Sequence, residues 1–370
     1  MALRMLGVVP SPELVSDAVA DRLRLFLKRM RAEAVEYGPD AAAMIDAGAR
    51  TLVGGKRLRA RFCHSGWQAV ARFSDRDAAE TTAVWDVCAA LEIFQSAALV
   101  HDDLIDNSDT RRGRPAAHRA LEGSHVDAGW SGDAAAFGRS AAILLGDLLV
   151  AWSDDLLEQA LAQHPLADAV RREYARMRRD VTVGQFLDIA EESAWSVNSA
   201  DSHLERALRI ASLKSARYSI EQPLVLGAAV AGADEEQLRA LRRFGHPVGM
   251  AFQLRDDVLG VFGDSAVTGK PAGDDLREGK RTALVALTRE GLDISARNLF
   301  DEMLGDPDLT AEQISFLQAT IRASGALHRV ESMIDDYASA ADRALSGARL
   351  ENSAVGDLRD LARASTTRSA

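Results

Sequence analysis

Residues 101–114 read HDDLIDNSDTRRGR, and their types and spacing suit a metal-assisted phosphate site. Asp102 and Asp106 are four apart, so on a helix their carboxylates project from one face, with Asp103 beside them. Acids held this close repel one another unless a divalent cation lies between them. Arg111, Arg112 and Arg114 follow at once, and guanidinium forks match phosphate oxygens. Upstream, VCAALEIFQSAALV (87–100) is largely apolar, with Leu91, Gln95 and Ala98 at helical spacing ahead of Asp102. A solvated acidic face does not continue such a stripe. The acids therefore end a core helix, where its dipole disfavours them, and a bound cation would compensate.

Two more clusters carry charge of the same kind. In GMAFQLRDDVLG (249–260), Asp256 and Asp257 end a mostly apolar helical stretch and share a face with Gln253. The run that follows, 261–282, is rich in glycine and charge and reads as a loop offering Lys270 and Lys280. Far upstream, GGKRLRAR (54–61) puts Lys56, Arg57, Arg59 and Arg61 behind two glycines, a pattern suited to anion binding at a helix N-terminus. Taken singly, each cluster is equally what a solvated surface gives.

In order along the chain, these blocks resemble the trans-isoprenyl diphosphate synthases (polyprenyl synthetases) over roughly residues 20–340. The blocks are GGKRLRA (54–60), HDDLIDNSDTRRG (101–113), GQFLD (184–188), LKSARYS (213–219) and FQLRDDVLG (252–260) followed by GKPAGDDLREGKRT (269–282). The resemblance implies an all-α, single-domain bundle of long helices around a central cavity, the two aspartate regions facing each other. It also implies about three Mg²⁺ ions. Asp102, Asp106 and Asp256 would hold the metal, with Asp103 assisting and Asp257 close by. Catalysis would rest on Asp102, Asp103, Asp106, Arg111, Lys214 and Asp256. Arg111, Lys214, Ser215, Gln253, Lys270 and Lys280 would hold an allylic diphosphate, and Lys56, Arg59, Gln95 and Arg112 isopentenyl diphosphate. Gln185 and Asp188 would position metal-bound water. Two positions depart from the family pattern. Gly260 stands where the second motif usually has a third acid, and Gln95 stands where many members have a histidine. Glutamine can donate to phosphate but never becomes cationic.

The implied reaction is head-to-tail condensation: an allylic C–O bond breaks, the isopentenyl double bond attacks the cation, and a proton leaves. In the family, bulky residues four and five positions before the first aspartate stop chain growth. Here those positions are Ala98 and Ala97. Phe94, one turn deeper, is the expected floor, giving geranylgeranyl diphosphate (C20); otherwise it only packs against a neighbouring helix. Farnesyl (C15) or longer (C25 and above) products, and a catalytically silent subunit of a heteromeric synthase, are the alternatives. A class I terpene cyclase fits less well. Its second metal triad is not matched by NSADSHLE (198–205), and it would have no use for GGKRLRA.

Composition agrees. A net charge of −11 over 370 residues excludes general nucleic-acid binding. Hydrophobic residues make up 47% and aromatics 5%, an Ala- and Leu-rich mix that favours helix. Residues 13–37 read as an amphipathic first helix, 122–139 as a long loop, and 351–370 as a fraying polar tail after a domain of 1–350. No linker divides the chain into two cores. No signal peptide and no apolar run near 20 residues is evident, so no transmembrane segment is expected. Cys63 and Cys88 lie in apolar surroundings and read as buried free thiols of a cytoplasmic protein. A homodimer is what the resemblance implies.

Overall fold

Alanine and leucine at helical spacing build long helices. The computed structural model describes residues 12–71, 78–263 and 273–366, and these divide into two compact units. The first runs to Ala167 and takes in Val230–Gly232. It holds α1 (Pro12–Ala34), α2 (Pro39–Thr51), α3 (Leu58–Ala71) and α4 (Ala78–Ile105). A two-residue hairpin follows, β1 (Thr110–Arg111) paired antiparallel with β2 (Arg114–Pro115), then α5 (Ala117–Asp127) and α6 (Ala134–Leu161). Helix α4 is the hub, packed by α6, α3 and α1. Its Val87, Leu91 and Ile93 are fully buried, as are Leu145 and Leu149 of α6 and Phe62 of α3. Each such side chain contributes about 1.5–3 kcal/mol.

The second unit comprises Asp168–Ala229 and the chain from Ala233. Its elements are α7 (Ala167–Ala194), α8 (His203–Ile210), a π-helical segment (Ala211–Glu221), α9 (Gln222–Val230) and α10 (Glu235–Phe262). After these come α11 (Asp274–Glu278), α12 (Ala283–Glu290), α13 (Ile294–Met303), α14 (Ala311–Ala323), α15 (Ala326–Ala344) and α16 (Asn352–Thr366). Leu254 and Val258 of α10 share a core with Leu284, Phe300, Leu317 and Val330. Asp234 and Gln237 form a reciprocal capping box that fixes the start of α10.

Several expectations need correction. Residues 122–139 are mostly helix: α5 reaches Asp127, α6 starts at Ala134, and only a short turn with Gly129 and Gly132 at positive φ separates them. Asp133 caps α6 by accepting from Ala136 N–H, a role hidden among small residues. Residues 352–366 are helical too, because Ala354, Leu358 and Leu361 recur on one buried face. The first helix stops at Ala34, and Val35–Tyr37 form a 3₁₀ turn. Among the described residues, two helices are long and apolar enough to cross a membrane, α4 from Thr82 and α6. The window in α4 is 78% buried, as a core helix should be, whereas that in α6 is 28% buried.

His64 of α3 gives the first unit a pH dependence. It is buried and stacked on Trp85 with ring centroids 4.3 Å apart, and burial pushes its pKa down to about 4. The unfolded chain takes up this proton near pH 6.5 and the folded chain does not, so stability is full above that pH and falls as pH drops towards 4. The loss should reach about 3 kcal/mol. Urea unfolding of wild type and His64→Phe at about pH 7 and about pH 4.5 checks this: the acid loss should shrink in the variant. Equal losses would remove His64 as the cause.

Candidate active site

Helix α4 ends at Ile105, yet Asp106 N–H still donates to Asp102 O at 2.8 Å, so the two carboxylates stay one turn apart. Asp102 is 24% exposed and Asp106 half-buried; with half-buried Gln95 and Ala98 they form a partly open line on a mostly buried helix. Phe94 and Ala97 are buried. Asp103 lies deeper. It is 2% exposed, and one of its oxygens accepts from both Nε (2.7 Å) and Nη2 of Arg111. Burial pushes its pKa up and Arg111 opposes that. Asp103 thereby anchors Arg111, whose Nη2 also lies 4.0 Å from Asp102.

The hairpin turns through Arg112 (φ 54°) and Gly113 (φ 70°), positive at both central positions as a tight two-residue turn requires. Glycine does this freely and arginine does not, so strain sits on a predicted substrate residue. Arg112 Nη1 donates to Val53 O at 3.2 Å, and its guanidinium covers Gly55 so closely that a Cβ there would lie 2.8 Å from Nη2. Arg57 (φ 48°) is buried and donates to Leu52 O at 2.6 Å and to Glu92 at 3.5 Å. Glu92 also accepts from Ala60 N–H at 3.1 Å, so α4 already satisfies one of the amides at the start of α3. Lys56 is exposed and Arg59 half-buried. Glu92 was missed in the sequence; the signal was a lone acid inside an apolar helix.

In the second unit, Lys214 and Ser215 lie in the π-helical segment. Its wide turns press against α7 and α10 where both lack a side chain: a Cβ on Gly184 would lie 2.4 Å from Lys214 N, and one on Gly249 2.4 Å from Ala216 O. Lys214 Nζ donates to Asp188 at 2.6 Å. Nearby on α7, Gln185 Nε2 is buried without a hydrogen-bond partner in the protein, as a group awaiting a ligand or water oxygen would be. Gln253 Nε2 donates to Asp257 at 2.7 Å. Asp257 is buried and its pKa is pushed up to about 8, chiefly by burial and then by Asp275; Gln253 works against the shift. Lys280 reaches Glu278 at 2.7 Å and Asp275 at 3.9 Å. Lys270 lies outside the described residues.

Asp275 is the second residue missed. Gly260, where a third acid was expected, has no Cβ because the Asp275 carboxylate occupies that space; a Cβ would lie 1.9 Å from Oδ2. Among the described residues no three His, Cys, Asp or Glu converge into a metal cage. Asp102 and Asp106, one turn apart and partly open, offer the one or two carboxylates that Mg²⁺ takes while phosphate oxygens and water complete its shell.

Long helices that end in carboxylate pairs, with lysine and arginine beside them, define an all-α protein of the isoprenoid synthase type. The sequence profile of the polyprenyl synthetase family matches residues 43–321. The chain is 34% identical to the geranylgeranyl diphosphate synthase of Mycobacterium tuberculosis over 71% of its length and 68% of that protein's. It is 33% identical to heptaprenyl diphosphate synthase component 2 of Geobacillus stearothermophilus, over 90% and 91%. A crystal structure of geranylgeranyl pyrophosphate synthase from Corynebacterium glutamicum, complexed with isoprenyl diphosphate and magnesium, superposes with a TM-score of 0.90 at 37% identity. That likeness covers 97% of this chain and 100% of the other. The chain belongs to the polyprenyl synthetase family and is a trans-prenyltransferase.

The packing of Asp275 over Gly260 predicts strong coupling. Gly260→Ala should destabilise the wild type but cost little in an Asp275→Ala background, a coupling of about 0.5–3 kcal/mol by urea unfolding. The same penalty in both backgrounds would mean the two positions do not share space.

Proposed function

We propose that the chain condenses isopentenyl diphosphate with allylic diphosphates in a Mg²⁺-dependent reaction and that its product is geranylgeranyl diphosphate (C20). The observation that carries the reading is the partly open line of Gln95, Ala98, Asp102 and Asp106 on a mostly buried helix, with Arg111 beside it. Bound at Asp102, Asp106 and Asp256, Mg²⁺ would draw charge from the allylic diphosphate and weaken its C–O bond. Arg111, Lys214 and Lys280 would neutralise the departing diphosphate, and Gln253 and Ser215 would add hydrogen bonds. Lys56, Arg59, Gln95 and Arg112 would hold isopentenyl diphosphate with its double bond towards the cation. Gln185 and Asp188 would orient water and Lys214. The apolar side chains of α4 would keep water from the cation. No strong base is needed, since the released diphosphate can take the proton.

Ala98 lies on the open line and would let the growing chain past, while buried Phe94 would stop it. The large exposed share of α6, with Ile143 and Leu144 at its surface, supports a homodimer covered along that helix. Buried free thiols at Cys63 and Cys88 support a reducing, cytoplasmic setting.

The test is incubation of the purified protein with Mg²⁺, isopentenyl diphosphate and C5, C10 or C15 allylic diphosphates, followed by sizing of the dephosphorylated products. A C20 alcohol is expected. Phe94→Ala should lengthen the products and Ala98→Phe should shorten them; C20 unchanged in Phe94→Ala would sink the floor. No elongation from any starter would favour a subunit that needs a second component, as the name of the Geobacillus relative describes for that protein.

A further inference from the structure

Helix α4 presents a second surface beside its substrate-facing line. Ser96, Leu99, Val100 and Asp103 are set about one residue step round the helix from Gln95, Ala98, Asp102 and Asp106. They wall a cavity of about 390 Å³. Its floor is apolar, completed by Ala117 and Ala120 of α5, and its rim is cationic, with Arg50, Arg111, Arg112 and Arg114. Asp103 is the single acid in the lining, and it is already bonded to Arg111. Lys56, Arg59 and Gln95 do not line it, so it meets the places proposed for the two substrates only at Arg111 and Arg112. Its volume falls within the range of small-molecule sites.

We propose that this cavity is a second site, adjoining the reaction site at Arg111 and Arg112, for an amphiphile with one apolar chain and a phosphate or diphosphate head. The lining decides the class. A wholly apolar ligand would desolvate arginines and give them no counter-ion. A bare inorganic anion would leave the apolar floor wet and forgo its burial. A chain on Leu99, Val100, Ala117 and Ala120, with a head group between the guanidinium forks, meets both demands. Prenyl diphosphates of the kind the proposed reaction uses and makes have this chemistry, and to that extent the natural ligand rests on that reading. Occupancy also has a consequence. Arg112 belongs to the rim and, in the proposed function, to the isopentenyl diphosphate grip; a head group that draws on it weakens that grip.

Decyl phosphate is the probe, because it has the chain and the head but no allylic bond to react. It is titrated into the full-length protein by calorimetry without Mg²⁺, alongside separate titrations of isopentenyl diphosphate and inorganic phosphate. Ala120→Trp fills the floor, and Arg50→Glu combined with Arg114→Glu cancels the positive charge of the rim; none of these residues is in the proposed machinery. Ala117→Leu serves if Ala120→Trp fails to fold, as judged by circular dichroism. Decyl phosphate affinity should fall about tenfold or more in each variant while isopentenyl diphosphate affinity stays within about twofold. In the wild type, decyl phosphate should weaken isopentenyl diphosphate binding. Unchanged decyl phosphate affinity in the variants overturns the proposal. So does inorganic phosphate binding as tightly as decyl phosphate, which would leave the floor without a role. Equal loss of both ligands in Ala120→Trp would make the cavity part of the reaction site and also overturn it. The readout is binding, so a protein without prenyltransferase activity would refute the proposed reaction and leave this test readable.

Discussion

The ion pair between Asp103 and Arg111 organises the first unit's chemistry. A carboxylate buried at the end of an apolar helix is costly unless it is paired and hydrogen-bonded. Arg111 provides that pairing only because the chain after α4 folds back as a hairpin. Once the hairpin closes, its turn falls on Arg112 and Gly113, and the guanidinium of Arg112 lands on Gly55. The acid, the hairpin and the glycine loop are thus linked through one buried charge. Asp102 and Asp106, on the neighbouring face, keep their partial exposure because Asp103 takes the buried position.

In the second unit a backbone irregularity has the corresponding role. A π-helical stretch has poorer hydrogen-bond geometry than an α-helix and persists only where packing enforces it. Gly184 on one side and Gly249 on the other admit the wider turns, and Lys214 is thereby brought onto Asp188. Lysine in this pair is held by a carboxylate it can leave for a phosphate, since the Nζ is a point charge on a flexible stem. A regular helix through 211–221 would turn these side chains onto different faces.

The apolar stripe ahead of Asp102, the acids at the ends of α4 and α10, and the all-α class were legible because each is a local pattern with helical period. Contacts made across space were not. Glu92 binds Arg57 and Ala60, and no spacing along the chain announces it. The helices at 117–127 and 352–366 were hidden by small and polar residues whose apolar positions number only a few per turn. The division into two units was equally hidden, because one boundary falls at the start of α7 and another inside α9, with no change of composition at either. The membrane-length helices among the described residues were hidden for a different reason. Scattered polar residues interrupt the apolar runs of α4 and α6, although the mean hydropathy of each window stays high.

Gly260 illustrates how far a motif can be read as a string. Along α10 the glycine looks like the loss of an acid, but in space the acid is supplied by Asp275 from α11. The two facts are one feature. Any side chain at 260 would collide with the Asp275 carboxylate, and an aspartate there would also bring another negative charge to a group where Asp257 is already pushed up to about 8. Removing the Cβ is therefore the condition for seating Asp275 beside Asp257. What α11 adds in return is Lys280, reached by the chain just after that helix and lying 3.9 Å from Asp275, so the carboxylate arrives together with a cation. An acid on α10 itself would bring no such partner.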